Sequence, residues 1–168
     1  MIVIAINEGK RFEQNWKSSC DKIKNVWCYR LRDNAASFGG SQNTRFASSN
    51  MCDYIMFHDT TKTLYCLELK STKNTSLSLS LIRENQINEL TEASKHMLVA
   101  GFIVNFRNEN NDTYFIEIGD FNDMIAEINK KSFNPKDLQK YNAIYVESEH
   151  KKVNHVYNIE KFIEDTHL

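Results

Sequence analysis

The stretch Cys52-Asp53-Tyr54-Ile55-Met56-Phe57-His58-Asp59-Thr60-Thr61-Lys62-Thr63-Leu64-Tyr65-Cys66-Leu67-Glu68-Leu69-Lys70 decides the fold. Two runs rich in aromatic and aliphatic residues, 53–58 and 63–70, flank the polar quartet Asp59-Thr60-Thr61-Lys62. That pattern predicts two antiparallel strands joined by a four-residue loop. Such a loop pairs His58 with Thr63, Phe57 with Leu64, Ile55 with Cys66 and Asp53 with Glu68. Side chains alternate across a strand, so Lys70 shares the face of Glu68. One face should then carry Ile55, Phe57, Leu64 and Cys66, apolar and buried, and end in Asp53, Glu68 and Lys70. A one-residue slip would divide the three between opposite faces, whereas a two-residue slip would keep them together.

Two carboxylates opposed on one sheet face have Cβ atoms roughly 4.5–5.5 Å apart, which is unfavourable unless positive charge lies between them. Lys70 supplies one such charge. A divalent cation does so better, because Mg²⁺ takes a few carboxylate oxygens and completes its shell with water. Spacing alone also admits an ion-pair trio at the end of a solvated sheet. The apolar company on the same face weighs against that reading, since a half-buried acid pair calls for a reason.

Working outward, Phe12, Trp16 and Ile23, with Ser19 and Cys20 between them, recur at helical spacing and predict an amphipathic helix over about residues 8–24. A short strand follows at 26–31. Residues 33–51 are rich in Asn, Ser, Ala and Gly, and an unstructured loop of that length is uncommon in a compact domain unless it serves function or is disordered. Beyond the hairpin, a helix is expected over about 81–98, and a second hairpin from 99–106 and 113–117. A helix from Gly119-Asp120 to about Lys131 comes next. Asn134-Pro135 reads as an N-cap with proline at the first helical position. Strands at 143–147 and 153–157 and a last helix from about Ile159 complete an α/β chain.

At 168 residues the length suits one domain. No apolar run approaches the 18 residues of a membrane span. The apolar start, residues 1–7, is too short and too uncharged for a signal peptide, so a cytoplasmic location is expected. Cys20, Cys28, Cys52 and Cys66 show neither C-x-x-C spacing nor nearby histidine pairs, which argues against zinc and, in a reducing cytosol, against disulfides. Cys28 and Cys66, inside strand-like runs, read as small buried residues. The net charge of −1 conceals an asymmetry: residues 1–83 hold twelve Lys and Arg against seven Asp and Glu, and residues 84–168 hold nine against fifteen. The first half can therefore present an electropositive face.

Asp53, then Glu68-Leu69-Lys70 on the next strand, after a helix bearing Glu13, resembles the PD-(D/E)xK nuclease superfamily. The likeness extends to Gly9-Lys10-Arg11-Phe12-Glu13, Tyr29-Arg30-Leu31, the Gly/Ser-rich loop, Cys52-Asp53-Tyr54, Glu68-Leu69-Lys70-Ser71-Thr72, Gln86 and Ala100-Gly101-Phe102. Together these are similar to RecU-type Holliday junction resolvases, especially phage-like short forms, over about residues 8–120. Cys52 departs from the superfamily's name, which has proline before the first aspartate; that proline does no chemistry.

The resemblance implies a restriction-endonuclease-like core, a mixed central β-sheet flanked by helices. It implies a single nuclease domain over 1–168, with a catalytic core at about 8–120 and an α/β extension at about 121–168. Asp53 and Glu68 would ligate Mg²⁺, with Mn²⁺ able to substitute, and the backbone carbonyl of Leu69 and the Glu13 carboxylate would join them. Lys70 would orient the attacking water or stabilise charge on the phosphate, and Gln86 would lie near the metal or a phosphate. Arg30, Arg32, Arg45 and, more weakly, Lys73 are candidates for contacts to the DNA backbone. The expected substrate is branched double-stranded DNA, cut by a homodimer with no nucleotide cofactor and no membrane. Another DNA endonuclease on the same fold, restriction-like or for repair, and a catalytically silent DNA-binding module are the alternatives.

Overall fold

A computed structural model describes residues 7–31 and 50–168. Arg32, Arg45 and nearly all of the 33–51 loop lie outside the described residues. The chain runs α1 (Glu8–Cys20), β1 (Val26–Arg30), β2 (Tyr54–His58), β3 (Thr63–Thr72), β4 (Leu77–Ser78), a single 3-10 turn (Leu79–Leu81), α2 (Glu84–Lys95) and β5 (Val99–Phe106). It continues through β6 (Thr113–Glu117), α3 (Ile118–Glu127), β7 (Ser132–Phe133), α4 (Pro135–Lys140), β8 (Ile144–Tyr145), β9 (Ser148–Lys151), β10 (Asn154–Tyr157) and α5 (Ile159–Asp165).

Six strands form one sheet in the order β1-β2-β3-β5-β6-β8. All neighbours are antiparallel except β3 and β5, which run parallel and are joined through α2, as a parallel pair requires a crossover. This is the α/β architecture expected, a mixed sheet between helices. Among the described residues no helix is long and apolar enough to cross a membrane.

The β2–β3 register is the one the four-residue loop dictates, with His58 on Thr63, Phe57 on Leu64 and Ile55 on Cys66. Which face is buried differs from expectation. Tyr54, Met56, Tyr65, Leu67 and Leu69 form the deep face, packed with Phe12, Trp16 and Cys20 of α1 and Ile159, Phe162 and Ile163 of α5. Of the four apolar residues expected to be buried on the other face, Cys66 alone is fully buried, and Ile55, Phe57 and Leu64 are half-buried. The reason is coverage: α2 and α3 pack that face over β5 and β6, with Leu90, Phe102, Phe121 and Met124 at the centre.

Local chemistry sets most element ends. Asn7 caps α1 by accepting from the Gly9 and Lys10 amides at 3.1 and 3.3 Å. The helix stops at Cys20 rather than near residue 24, because the chain must turn back for β1 to pair with β2. Asn134 caps α4 with Pro135 in its first turn, as read. The helix expected over 81–98 is shorter, Glu84–Lys95, after the 3-10 turn. Gly101 is required sterically, since a Cβ there would run into the Ile116 carbonyl.

The C-terminal third covers both faces of the sheet. Trp16 is fully buried between Tyr157 and Phe162, with ring centroids 5.6 and 5.5 Å away. Truncating an aromatic so placed costs roughly 3–5 kcal/mol. Strand 143–147 contracts to Ile144–Tyr145, and the second hairpin strand proves to be Ser148–Lys151, which pairs with β10.

Candidate active site

Asp53 sits one residue before β2, held between two strands. Its amide donates to the Leu67 carbonyl at 3.2 Å, and its carbonyl accepts from the Leu31 amide at 2.8 Å. With the backbone so fixed, its carboxylate turns to β3 and accepts from the Leu69 amide at 2.8 Å. Glu68 stands opposite, 4% exposed. Lys70 Nζ lies 2.9 Å from Glu68 Oε1. Gln86, in the first turn of α2, donates from Nε2 to the same Glu68 oxygen. Its Oε1 accepts from the Arg83 amide at 3.1 Å, which fixes the orientation of the side chain.

The electrostatics follow from this crowding. Burial, then the negative charge of Asp53, raises Glu68 from the ordinary carboxylate range to about 7, against the opposing pull of Lys70. Asp53 is also raised, by burial first; the Leu69 amide works the other way, and Glu13 adds to the rise. Beneath them Cys52 is held as a thiol by its hydrogen bond with Cys66 and by burial.

Glu13, half-buried on α1, is close enough for its charge to be felt at both carboxylates. Its Oε2 accepts from Arg30 Nε at 2.8 Å, and its backbone carbonyl accepts from the Tyr54 hydroxyl at 3.2 Å. Arg30 is thus engaged with Glu13. Lys73 is exposed just beyond β3. Asp53, Glu68, Lys70 and Gln86 come together, Glu13 and Arg30 form a pair beside them, and Lys73 stands apart.

The oxygens of Asp53 and Glu68 are hard donors of the kind Mg²⁺ takes. Among the described residues no three His, Cys, Asp or Glu side chains converge closely enough to hold a metal ion alone. A cation at the pair would therefore complete its shell from backbone, water or phosphate oxygens.

Sequence reasoning missed a polar cluster on the opposite face. Ser71 donates to Asn105 Oδ1 at 3.0 Å and accepts from Arg107 Nη1 at 2.8 Å. Asn105 Nδ2 donates to Asn111 Oδ1 and Thr113 Oγ1, both at 2.9 Å, and Asn111 reaches Ser148 and Tyr157. The signal available was alternation: Ser71 follows Lys70, so it must lie at the same end of β3 and on the other face.

Comparison with known proteins gives three findings. Residues 9–161 match the family RecU, recombination protein U. The SPbeta prophage-derived uncharacterized protein YotM of Bacillus subtilis (strain 168) is 34% identical over 172 aligned residues, covering 94% of this chain and 85% of that protein. Among solved structures, Archaeoglobus fulgidus Hjc, a Holliday junction resolvase from an archaeal hyperthermophile, superposes with a TM-score of 0.48 at 18% identity. That alignment spans 79% of this chain and 93% of Hjc.

Proposed function

The chain belongs to the RecU family of Holliday junction resolvases, and we propose that this nuclease does its chemistry at Asp53, Glu68 and Lys70 with a divalent cation, Mg²⁺ first and Mn²⁺ as a substitute. The observation that carries the assignment is the opposed acid pair itself. Glu68 is buried and its carboxyl is pushed to about 7, with Lys70 opposing the repulsion from Asp53. A purely structural role gives no reason to keep two carboxylates in that position, because unpaired buried charge is costly.

In this reading Asp53, Glu68 and the Leu69 carbonyl hold the cation, with Glu13 as an outer carboxylate. When bound, the cation supplies Lewis-acid polarisation of the scissile phosphate and makes water a competent nucleophile near neutral pH. Lys70 presents its ammonium to the charge that builds on the phosphate during displacement. Gln86 holds Glu68 by a direct hydrogen bond and is itself fixed by the Arg83 amide, so it acts as a positioning residue. Arg30, Arg32, Arg45 and Lys73 are assigned to backbone contacts, which position DNA without reading its sequence.

The domain is one nuclease unit over 1–168, working in the cytoplasm as a homodimer. Two nicks placed across a four-way junction suit a two-fold assembly. The test is cleavage of a labelled four-way junction beside linear duplex, with Mg²⁺ or EDTA, by wild type and Asp53→Asn. Paired nicks on the junction that need the metal and vanish in the variant are expected. Nicking that survives Asp53→Asn would remove the assignment of the site.

A further inference from the structure

A cavity lies at the same end of the sheet as the acid pair but on the opposite face. It is a cleft of about 370 Å³ between the first turns of α1 and the β9–β10 hairpin. Its floor is neutral and buried, made of Asn105, Asn111 and Tyr157. Its rim is cationic: Arg11 from α1, Arg107 after β5, and Lys152 at the tip of the hairpin. Glu8 is the carboxylate on this rim, and it pairs with Arg11 at 3.3 Å. Two cationic groups therefore remain in excess of the acid.

His150 and His155 face each other across the hairpin and add to this rim, with ring centroids 4.9 Å apart. Burial, then the neighbouring His150, holds His155 below the ordinary histidine range, so its ring lines the rim as a neutral hydrogen-bonding group and the standing charge is that of Arg11, Arg107 and Lys152. Arg107 presents one guanidinium nitrogen to Ser71 at 2.8 Å, an anchor that orients the rest of a planar group with five N–H donors toward the cleft. Ser71 is the residue after Lys70, so their Cα atoms are only about 3.8 Å apart.

We propose that this cleft is a second DNA-contact site, in which Arg107 and Lys152 grip phosphodiester groups of the arm adjoining the one cut at Asp53 and Glu68. The chemistry is that of most protein–DNA contacts, cationic side chains and N–H donors on backbone phosphate, which fix position rather than sequence. The cleft would let the substrate wrap the end of the sheet, with the C-terminal hairpin as one jaw. This rests on the junction-cutting function given above.

The test measures binding of a labelled four-way junction in EDTA between about 50 and 200 mM salt, where each phosphate contact contributes about 0.9 to the slope of log K against log salt. The proteins carry Asp53→Asn alone, or with Lys152→Gln, with Arg107→Gln/Lys152→Gln, or with Lys62→Gln. Lys62 precedes β3 and lies roughly 30 Å from Ser71 at about 3.3 Å per residue, so it serves as the control. Lys152 is in an exposed turn, so its replacement is independent of the Ser71 contact.

The expected slope falls by about 0.9 for Lys152→Gln and about 1.8 for the pair, and stays at the parent value for Lys62→Gln. An unchanged slope in both cleft variants, with the junction still bound and still cut by wild type, would overturn the cleft and leave the nuclease standing. An unchanged slope with a Tm raised by inorganic phosphate at matched ionic strength would assign the cleft to a free anion instead. A parent that binds no junction would overturn both readings.

Discussion

Two buried polar clusters stand back to back at one end of the sheet, one built from charges and the other from neutral groups. On the α1 face, Asn105 makes three hydrogen bonds, to Ser71, Asn111 and Thr113, at 2.9 to 3.0 Å. Neutral polar groups satisfied in this way cost little to bury. On the α2 face, Glu68 is just as buried, yet faces Asp53 and is raised to about 7. The first cluster is complete within the chain. The second sets two carboxylates against each other, with Lys70 and Gln86 as the partners of Glu68. On the proposed reading, that difference separates a cluster that serves stability from one that would take a substrate and its metal.

The largest expected effect falls on the charged cluster. Lys70→Met should lower junction cleavage by about 10²–10³, as loss of one donor to a developing oxyanion does. Single-turnover nicking at saturating enzyme reads this directly; activity within about twofold of wild type would erase the contrast between the clusters.

Next comes the neutral cluster, where stability rather than activity should move. Asn105→Ala leaves Asn111 and Thr113 short of a partner and should cost about 3 kcal/mol, since each buried unsatisfied group costs roughly 1–3 kcal/mol. Urea unfolding checks the stability, and cleavage per folded molecule should stay within a few-fold of wild type. A stable Asn105→Ala that cannot cut would mean the two clusters share one task.

Gln86→Leu sharpens the comparison with the smallest effect. It removes the donor to Glu68 but no group assigned to the phosphate, so cleavage should fall about tenfold, some 1.4 kcal/mol in barrier. A readout specific to positioning is the cation dependence: the Mg²⁺ concentration for half-maximal nicking should rise, and Gln86→Asn should recover part of it. An unchanged Mg²⁺ requirement would reduce Gln86 to a helix cap.

The legible and illegible parts of the chain divide along similar lines. The four-residue loop Asp59-Thr60-Thr61-Lys62 was enough to set the β2–β3 register, and with it the opposition of Asp53 and Glu68. Caps were legible where one side chain decides them, as at Asn134-Pro135. The deep face of the hairpin was not, because 54–58 and 63–70 are apolar on both faces and only tertiary coverage by α1 and α5 selects one. Strand Ser148–Lys151 escaped because four polar residues carry no apolar alternation, and only pairing with Asn154–Tyr157 makes them a strand. Arg107 was overlooked for the same reason: its role comes from lying beside Ser71, 36 positions away in the chain.

Glu68→Gln tests the account most directly, with junction cleavage and unfolding measured on the same preparation from pH 5 to 8. A carboxyl raised in the folded state keeps a proton that the unfolded chain releases, so wild-type stability should fall as pH rises from 4.5 to about 7. That loss is at most ~3 kcal/mol, and the glutamine removes it. The account predicts a variant that no longer cuts the junction and whose stability advantage over wild type grows through that window. A Glu68→Gln protein that still cuts, or one that loses stability relative to wild type as the pH rises, would contradict it.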